Sequence, residues 1–338
     1  MNFIANSSAV SSESPDPARP FPPARSEGEP DCMTRRKFVG ASALAAAGAL
    51  AGCQSVPGSA GGNAIDAHVH VWTPDLGRYP IHSSFQPSDL QPASFTPEEL
   101  FAHTRPNGVR RVVLIQMSFY RFDNRYLLDS MRRFPGVFSG VGIVDETAPR
   151  PRDRVRELVA QGVRGFRIHP GPQSIDAWMD SSGMADLWQA GAELGAAMCP
   201  LIGPEALPAI DRMCARFPQT RVVIDHLARI GVDGVIRQEH VDALCRLARH
   251  RRVHVKTSAF YALGRKRPPY DDLGPMIRQV RDAYGAQRLM WASDCPYQVD
   301  AGHSYADSIA LIRDRLGFLS PSDREWMLRR TAEKVFFS

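Results

Sequence analysis

Asp66-Ala67-His68-Val69-His70, within a short apolar run, is the stretch of sequence that decides the fold of this chain. In a β-strand, residues two apart share a face, so the stretch predicts a strand with Asp66, His68 and His70 on one side. A second signal lies near the far end, where Ser293-Asp294 follows the run Arg288-Leu-Met-Trp-Ala. Two histidines and a distant aspartate can hold a divalent metal or activate water directly, and the residues leave both chemistries open.

Short β-branched runs alternate with amphipathic helical segments along the chain, and the last helical pattern covers residues 323–335. The eight runs begin near Ile65, Arg111, Val137, Val163, Ala197, Arg221, Val253 and Arg288. Eight strand-then-helix units in about 250 residues are typical of a (β/α)8 barrel. A doubly wound open sheet is the main rival, but no glycine-rich phosphate loop follows the first run. The sequence therefore predicts an α/β fold, a single-domain TIM barrel.

Polar residues gather where these predicted strands end, which is where barrel enzymes place their catalytic groups. His68, His70, His226 and Asp294 are the candidate catalytic residues. Further polar residues end the other strands: Gln116, Ser118, Arg167, His169, Asp225, Lys256 and Ser258. Because adjacent residues of a strand point to opposite faces, only one of Asp225 and His226 is expected to enter the barrel, and we select His226.

A leader is predicted before the barrel. Thr34-Arg35-Arg36-Lys37-Phe38-Val39 opens an uncharged run of small residues that ends in Leu50-Ala51-Gly52-Cys53. This resembles a twin-arginine export signal with a lipoprotein cleavage box, so we expect residues 33–53 to direct export to the periplasm and Cys53 to carry a lipid anchor. The alternative is a cleaved soluble signal.

Three further segments complete the predicted organisation. Residues 1–32, rich in Pro, Ser and Glu, are either a disordered extension or an upstream mis-start with Met33 as the initiator. Residues 54–63 are predicted to be a flexible tether. Residues 64–338 are the predicted barrel domain, and the sequence carries no signal for its oligomeric state.

Composition and charge exclude several classes of protein. Lys and Arg number 41 against 36 Asp and Glu, which gives a formal net charge of +5. The basic residues are scattered and not interleaved with aromatic ones, so no nucleic-acid partner is expected, whereas an anionic small substrate is compatible. Cys199, Cys214, Cys245 and Cys295 show no CxxC spacing, so no disulfide framework or thiolate metal site is expected.

The motifs on these strands resemble the amidohydrolase-related proteins of the amidohydrolase superfamily. They are Asp-Ala-His-Val-His at 66–70, Ile224-Asp225-His226-Leu227 and Trp291-Ala-Ser-Asp294-Cys-Pro296. Within that superfamily the chain is similar to the 2-pyrone-4,6-dicarboxylate lactonase-like hydrolases. The motifs for this likeness lie at 123–125, 162–167, 225–229 and 268–272.

The resemblance implies hydrolysis of a small anionic lactone, a cyclic ester. Asp294 would take a proton from the attacking water, and His68, His70 and His226 would surround the developing oxyanion and the leaving oxygen. Arg125 and Arg229 lie in motifs that resemble substrate-carboxylate binders, and Arg167, His169 and Arg265 are further candidates for substrate binding. Ile230, Cys295 and Tyr297 depart from the lactonase pattern, so a different lactone, such as an aldonolactone or a muconolactone, is an open alternative.

The sequence is compatible with catalysis either without a metal or with one divalent ion. Arg167 stands where binuclear members carry a carbamylated lysine, and residues 197–203 contain no histidine at the end of strand 5, so we expect metal-independent catalysis. His68, His70, His226 and Asp294 still suffice for one divalent ion, Zn or Mn, and that is the alternative.

Two other functions remain open. A zinc-dependent amidohydrolase or decarboxylase is possible on the same fold, and a non-catalytic, lipid-anchored binding protein is possible in a different class. A binding protein has little use for a base beside the carbonyl, so the presence of Asp294 favours the enzyme.

Overall fold

A computed structural model describes residues 62–170 and 174–338. The predicted leader, its Cys53 and the tether up to residue 61 lie outside these ranges. Eight parallel strands follow one another around a single sheet in the order of the sequence, which confirms the predicted TIM barrel. The strands are β1 Ala64–Val69, β2 Val109–Ile115, β3 Phe138–Gly142, β4 Val163–Ile168, β5 Ala197–Pro200, β6 Arg221–Ile224, β7 Val253–Thr257 and β8 Leu289–Trp291.

Helices follow the strands and pack on the outside of the sheet. They are α1 Pro97–Thr104, α2 Arg125–Arg133, α3 Pro151–Ala160, α4 Ile175–Met179, α5 Ser182–Leu194, α6 Leu207–Arg216, α7 Gln238–Arg246, α8 Gly274–Tyr284, α9 Tyr305–Ala310, α10 Pro321–Glu325 and α11 Thr331–Phe336. A π-helical segment, Trp326–Arg330, joins α10 to α11, so the helix predicted over 323–335 is three consecutive segments. Within the described ranges, no helix has the length and apolar character needed to span a membrane.

The barrel interior is filled by apolar side chains from six of the eight strands. The cluster contains Ile65, Ala67, Val113, Ile115, Val141, Ala197, Cys199, Val223, Met290 and Ala292. Ala332, Val335 and Phe336 of α11 pack against it and close the end of the barrel where the strands begin. Water and substrate therefore meet the barrel at the opposite end, where the strands finish.

The seam that closes the barrel is short. A single parallel bridge joins Val69 to Cys295. On either side of it the Asp294 amide donates to the His68 carbonyl at 2.9 Å, and the His70 amide donates to the Cys295 carbonyl at 2.9 Å. The backbone segments that carry the candidate site therefore also close the barrel.

Strand β1 does not alternate regularly. Its pairing with β2 shifts register between Asp66 and Val69, an irregularity of the bulge type that interrupts the alternation of side chains. Ile65 and Ala67 point into the barrel, and the bulge turns His68 inward as well. The prediction that Asp66 shares a face with the histidines is wrong, because its Oδ2 accepts a hydrogen bond at 2.7 Å from the Tyr305 hydroxyl of α9, outside the sheet.

Candidate active site

Three side-chain atoms from the two ends of the chain converge at the mouth of the barrel. His68 Nε2 and His70 Nε2 lie 3.2 Å apart. Asp294 Oδ1 lies 3.4 Å from His68 Nε2 and 3.3 Å from His70 Nε2. All three side chains are buried. The structure therefore brings together the two predicted histidines and the predicted aspartate as a nearly equilateral triangle.

This triangle fits a divalent metal ion. Around a tetrahedral ion with bonds of about 2.0–2.1 Å, neighbouring ligand atoms are separated by about 3.3 Å, as these three are. Asp294 Oδ1 is buried and accepts no hydrogen bond of regular geometry from any residue in the described part of the chain, so it is open to a ligand. Nitrogen and carboxylate donors in this combination suit zinc. Of the two sequence-based answers on cofactors, the donor set favours the alternative, one divalent metal.

His70 is held in the tautomer that a ligand needs. Its Nδ1 donates to the carbonyl of Ile115 at 3.0 Å, which leaves a lone pair on Nε2. Burial lowers the pKa of the imidazole, so the ring is neutral at neutral pH. The end of strand β2 thus orients His70 through its backbone.

His226 faces the other side of the same carboxylate. Its Nε2 lies 3.9 Å from Asp294 Oδ2, and its Nδ1 lies 2.9 Å from the Ser258 hydroxyl. Burial lowers the pKa of His226 to about 4, so this ring too is neutral at neutral pH. His226 lines the site as predicted, but it stands outside the triangle of donor atoms.

Asp294 is fixed by its backbone and by one hydroxyl. The residue has φ +68°, a left-handed conformation that aspartate tolerates better than most residues. The Tyr261 hydroxyl donates to Oδ2 at 2.7 Å, whereas Oδ1 is turned toward His68 and His70. Burial opposes ionisation, but His226, His70 and His68 together hold the pKa of Asp294 below its ordinary value. The carboxylate is therefore ionised at neutral pH.

Asp225 enters the barrel beside His226, which contradicts the prediction that only one of them does so. After Asp225 the chain turns left-handed, with φ +52° at His226, so the alternation of the strand stops there. Asp225 Oδ1 lies 2.9 Å from Lys256 Nζ and 3.4 Å from His68 Nδ1. Burial raises the pKa of this carboxyl, but Lys256 and His68 reverse the effect and hold it well below the usual range.

A family model described as Amidohydrolase matches residues 65–337. The chain belongs to the amidohydrolase family. The match covers α11 and all eight strands except the first residue of β1, so the described barrel is the family's domain. This confirms the resemblance read from the motifs at 66–70, 224–227 and 291–296.

Among curated amidohydrolase relatives, an L-fucono-1,5-lactonase of Burkholderia ambifaria is 33% identical over 249 residues, 71% of this chain and 82% of that protein. A 2-pyrone-4,6-dicarboxylate hydrolase of Comamonas testosteroni is 26% identical over 270 residues, 77% of this chain and 84% of that protein. The crystal structure of an amidohydrolase from Burkholderia multivorans with bound zinc is 23% identical, has a TM-score of 0.67, and covers 81% of this chain and 98% of that one. At this level of identity, the similarity to the zinc-bound structure shows that the two proteins share a fold.

The arginines selected from the sequence fall into two groups. Arg167 and Arg229 are partly buried, and both lie close enough to the site to act on it electrostatically, Arg167 on His70 and Arg229 on Asp294. Arg125 is 59% exposed and pairs with Asp123, Nη2 to Oδ2 at 2.6 Å. Arg265 is also exposed. The structure thus brings Arg167 and Arg229 to this amidohydrolase site and leaves Arg125 and Arg265 at the surface.

His169 is partly buried at the end of β4, next to residues 171–173, which lie outside the described ranges. The part that it plays in substrate binding stays a prediction.

The sequence assigns no role to Lys256 or Tyr261, although both contact residues of the site. Lys256 is a polar strand end in the sequence, and a lysine within a barrel strand, Val253–Thr257, is itself a signal for a buried partner. Tyr261 lies in a short 3-10 turn after β7, and no local pattern indicates that its hydroxyl reaches Asp294.

Proposed function

We propose that this amidohydrolase opens the ring of a small carboxylated lactone by hydrolysis. The observation that carries the proposal is the ionised carboxylate of Asp294, which lies within 3.4 Å of two imidazole nitrogens at the mouth of the barrel. Two curated relatives, covered over most of their length, are named as lactone hydrolases. Their names favour ring opening over decarboxylation and over a binding role.

The proposed reaction begins with one proton transfer. A water molecule attacks the ester carbonyl carbon while the Asp294 carboxylate takes one of its protons. The bond from that carbon to the ring oxygen then breaks, and Asp294 returns the proton to the ring oxygen, so the product is an open-chain hydroxy acid. An ionised aspartate is a sufficient base because a lactone is an activated acyl group.

The neighbouring imidazoles complete the machinery. Neutral His226, with its Nδ1 at the Ser258 hydroxyl, presents Nε2 on the Asp294 Oδ2 side, where it can hydrogen-bond the developing oxyanion or the leaving oxygen. Tyr261 holds Oδ2, so the proton-accepting carboxylate does not rotate away. Each group is fixed before substrate arrives, which is the condition for electrostatic stabilisation to be efficient.

We also propose that His68, His70 and Asp294 hold one divalent ion, zinc or manganese. Such an ion, when bound, polarises the carbonyl oxygen and lowers the pKa of the attacking water. The three edges of 3.2, 3.3 and 3.4 Å and the buried Asp294 Oδ1 without a hydrogen-bond donor support this proposal.

We propose Arg167 and Arg229 as the groups that bind the substrate carboxylate. A planar guanidinium binds a carboxylate with two parallel hydrogen bonds and so fixes the lactone ring relative to Asp294. Both side chains are partly buried beside the site, where their charge is less screened than that of exposed Arg125.

The test is proton release by the purified protein from a panel of lactones that contains carboxylated pyrones, muconolactones and neutral aldonolactones. Each substrate is assayed with zinc, with manganese and with a strong chelator. We expect turnover of a carboxylated lactone that depends on Asp294. Failure of the metal-loaded protein to open any lactone would overturn the proposal.

We further propose twin-arginine export and lipid anchoring through Cys53, on the strength of the leader sequence alone. In a bacterial host, Cys53→Ser should release the protein from the membrane fraction into the soluble periplasmic fraction. Arg35→Lys combined with Arg36→Lys should retain it in the cytoplasm. Membrane association unchanged by Cys53→Ser would show that no lipid at Cys53 holds it.

A further inference from the structure

Lys256 is a buried cation that the proposed reaction does not use. It lies in β7 with no exposed surface, and its Nζ lies 2.9 Å from Asp225 Oδ1 and 3.0 Å from His68 Nδ1. Burying an ammonium costs several kcal/mol unless it is paired, and a well-packed apolar residue would usually serve stability as well. A lysine here therefore calls for a role beyond packing.

The contacts of Lys256 fix where the protons of His68 lie. An ammonium group has three donors and no acceptor, so His68 Nδ1 must accept the hydrogen bond from Lys256. The neutral ring then carries its proton on Nε2. That proton points to His70 Nε2 at 3.2 Å, which is free to accept because His70 Nδ1 donates to Ile115. The hydrogen bonds therefore run in one direction, from Lys256 to His68 and from His68 to His70.

A metal at the triangle of donor atoms requires the opposite arrangement. His68 can bind an ion through Nε2 only if its proton moves to Nδ1, where it meets the Lys256 ammonium. Among the described residues, the carboxylate recorded beside Nδ1 is that of Asp225, whose Oδ1 lies 3.4 Å from Nδ1 and is already paired with Lys256 at 2.9 Å. The positive charge of Lys256 also repels the ion.

We propose that Lys256 holds His68 as the Nε2–H tautomer and thereby weakens the binding of a divalent ion by His68, His70 and Asp294. The inference rests on the metal site of the proposed function. Because binding is weakened in this way, the ion exchanges with the solution. While the ion is away, His68 Nε2–H is a hydrogen-bond donor at the mouth of the barrel, in line with the neutral donors that an oxyanion needs.

The first test is zinc affinity, measured on the metal-free full-length protein by competition with a chromophoric chelator. Lys256→Met removes the cation and leaves Asp225 to accept the Nδ1 proton of His68, the carboxylate–histidine arrangement of tight zinc sites. We expect at least a tenfold lower Kd for zinc. Lys256→Arg keeps a positive charge and groups that only donate hydrogen bonds, so its Kd should stay within about threefold of the original protein. A Kd for Lys256→Met that is unchanged or higher overturns the proposal.

A second variant tests the same proposal if Lys256→Met does not fold. Lys256→Met leaves Asp225 as an unpaired buried carboxylate, so the double variant Asp225→Asn/Lys256→Met removes both partners of the pair. Its amide oxygen at position 225 can still accept from His68 Nδ1, and it too should bind zinc more tightly than the original protein. If this double variant folds and binds zinc no more tightly than the original protein, the proposal for Lys256 is overturned.

Nuclear magnetic resonance of the protein with 15N-labelled histidine separates the tautomer from simple charge repulsion. His68 should show the Nε2–H pattern in the original protein and the Nδ1–H pattern in Lys256→Met. Arg167→Met removes another nearby cation, one that acts electrostatically on His70, so its gain in zinc affinity should be smaller and without a tautomer change. If Lys256→Met and Arg167→Met gain zinc affinity equally and His68 keeps its tautomer, the proposal is overturned. Absence of lactone turnover by itself would overturn only the proposed function.

Discussion

Asp294 and His68 meet twice, once through their backbones and once through their side chains. The Asp294 amide donates to the His68 carbonyl at 2.9 Å, and Asp294 Oδ1 lies 3.4 Å from His68 Nε2. The first contact belongs to the seam that closes the barrel, and the second belongs to the candidate site. The backbone contact that closes the barrel therefore also brings the two side chains of the site together.

Asp294→Asn should abolish most of the lactone hydrolysis. The amide is close in shape to the carboxylate but cannot accept the proton from water, so we expect kcat/KM to fall by about a thousandfold. Asp300→Asn is the matched control, because Asp300 is an exposed carboxylate six positions along the same segment. It should leave kcat/KM unchanged. Full activity in a correctly folded Asp294→Asn protein would remove Asp294 as the base.

Tyr261→Phe tests how the base is oriented. It deletes the hydroxyl that donates to Asp294 Oδ2 at 2.7 Å, so the carboxylate gains freedom to rotate. A hydrogen bond to a charged group contributes about 1.5–3 kcal/mol, so we expect kcat to fall at least about tenfold with little change in KM. Tyr284→Phe is the control, since its hydroxyl donates to the Leu244 carbonyl at 2.7 Å, in the helical layer. That variant should lose stability and keep kcat.

Arg229→Met should raise KM for a carboxylated lactone by about ten- to a hundredfold, because a bidentate pair with the substrate is lost. A neutral aldonolactone should show no such change. Arg125→Met is the comparison, since Arg125 is exposed and already paired with Asp123. We expect it to leave both KM values nearly unchanged. Similar losses in the two variants on both substrates would indicate a structural role.

Zinc should stabilise the metal-free protein against heat, because a ligand that binds only the folded state adds stability in proportion to the logarithm of its concentration over Kd. We expect the rise in Tm to disappear in His70→Ala, which lacks one donor atom. His250→Ala is the control, because His250 pairs with Asp211, away from the site. A rise in Tm that survives in His70→Ala would place the zinc elsewhere.

His254 should contribute to the pH dependence of stability. Burial lowers its pKa from 6.5 to about 4, so the unfolded chain binds the proton more strongly in that interval. The free energy of unfolding should therefore fall as the pH drops from about 6.5 to 4 and be unaffected by this residue above that range. For a partly buried ring we expect a contribution of about 2 kcal/mol.

His254→Gln supplies the measurement for this contribution. Denaturant unfolding of both proteins at a series of pH values gives the difference between their free energies of unfolding, which should shift by about 2 kcal/mol in favour of the variant between pH 7 and pH 4. The other buried histidines titrate equally in both proteins, so they cancel. A constant difference over that range would show that His254 keeps its ordinary pKa when folded.

Strand periodicity and residue type predicted the barrel, because each of the eight strands is a local pattern and one order of connection suits them. The same reasoning placed His68, His70, His226 and Asp294 at strand ends, and the structure brings all four together. It also identified the family motifs, since those motifs are contiguous in the sequence. The sequence by itself therefore determined the strands, the residues at their ends and the family motifs, because each of these is encoded by a local pattern.

The tertiary structure alone decided the features that depend on pairing between distant strands. The bulge in β1 turns Asp66 out and His68 in, because β1 must follow the register of β2 while it closes on β8. The left-handed turn after Asp225 brings that carboxylate to Lys256, and the fold places Arg229 beside the site while Arg125 stays at the surface. Side-chain alternation is a local rule, whereas closure of a barrel is a global constraint that overrides it wherever the strands must meet.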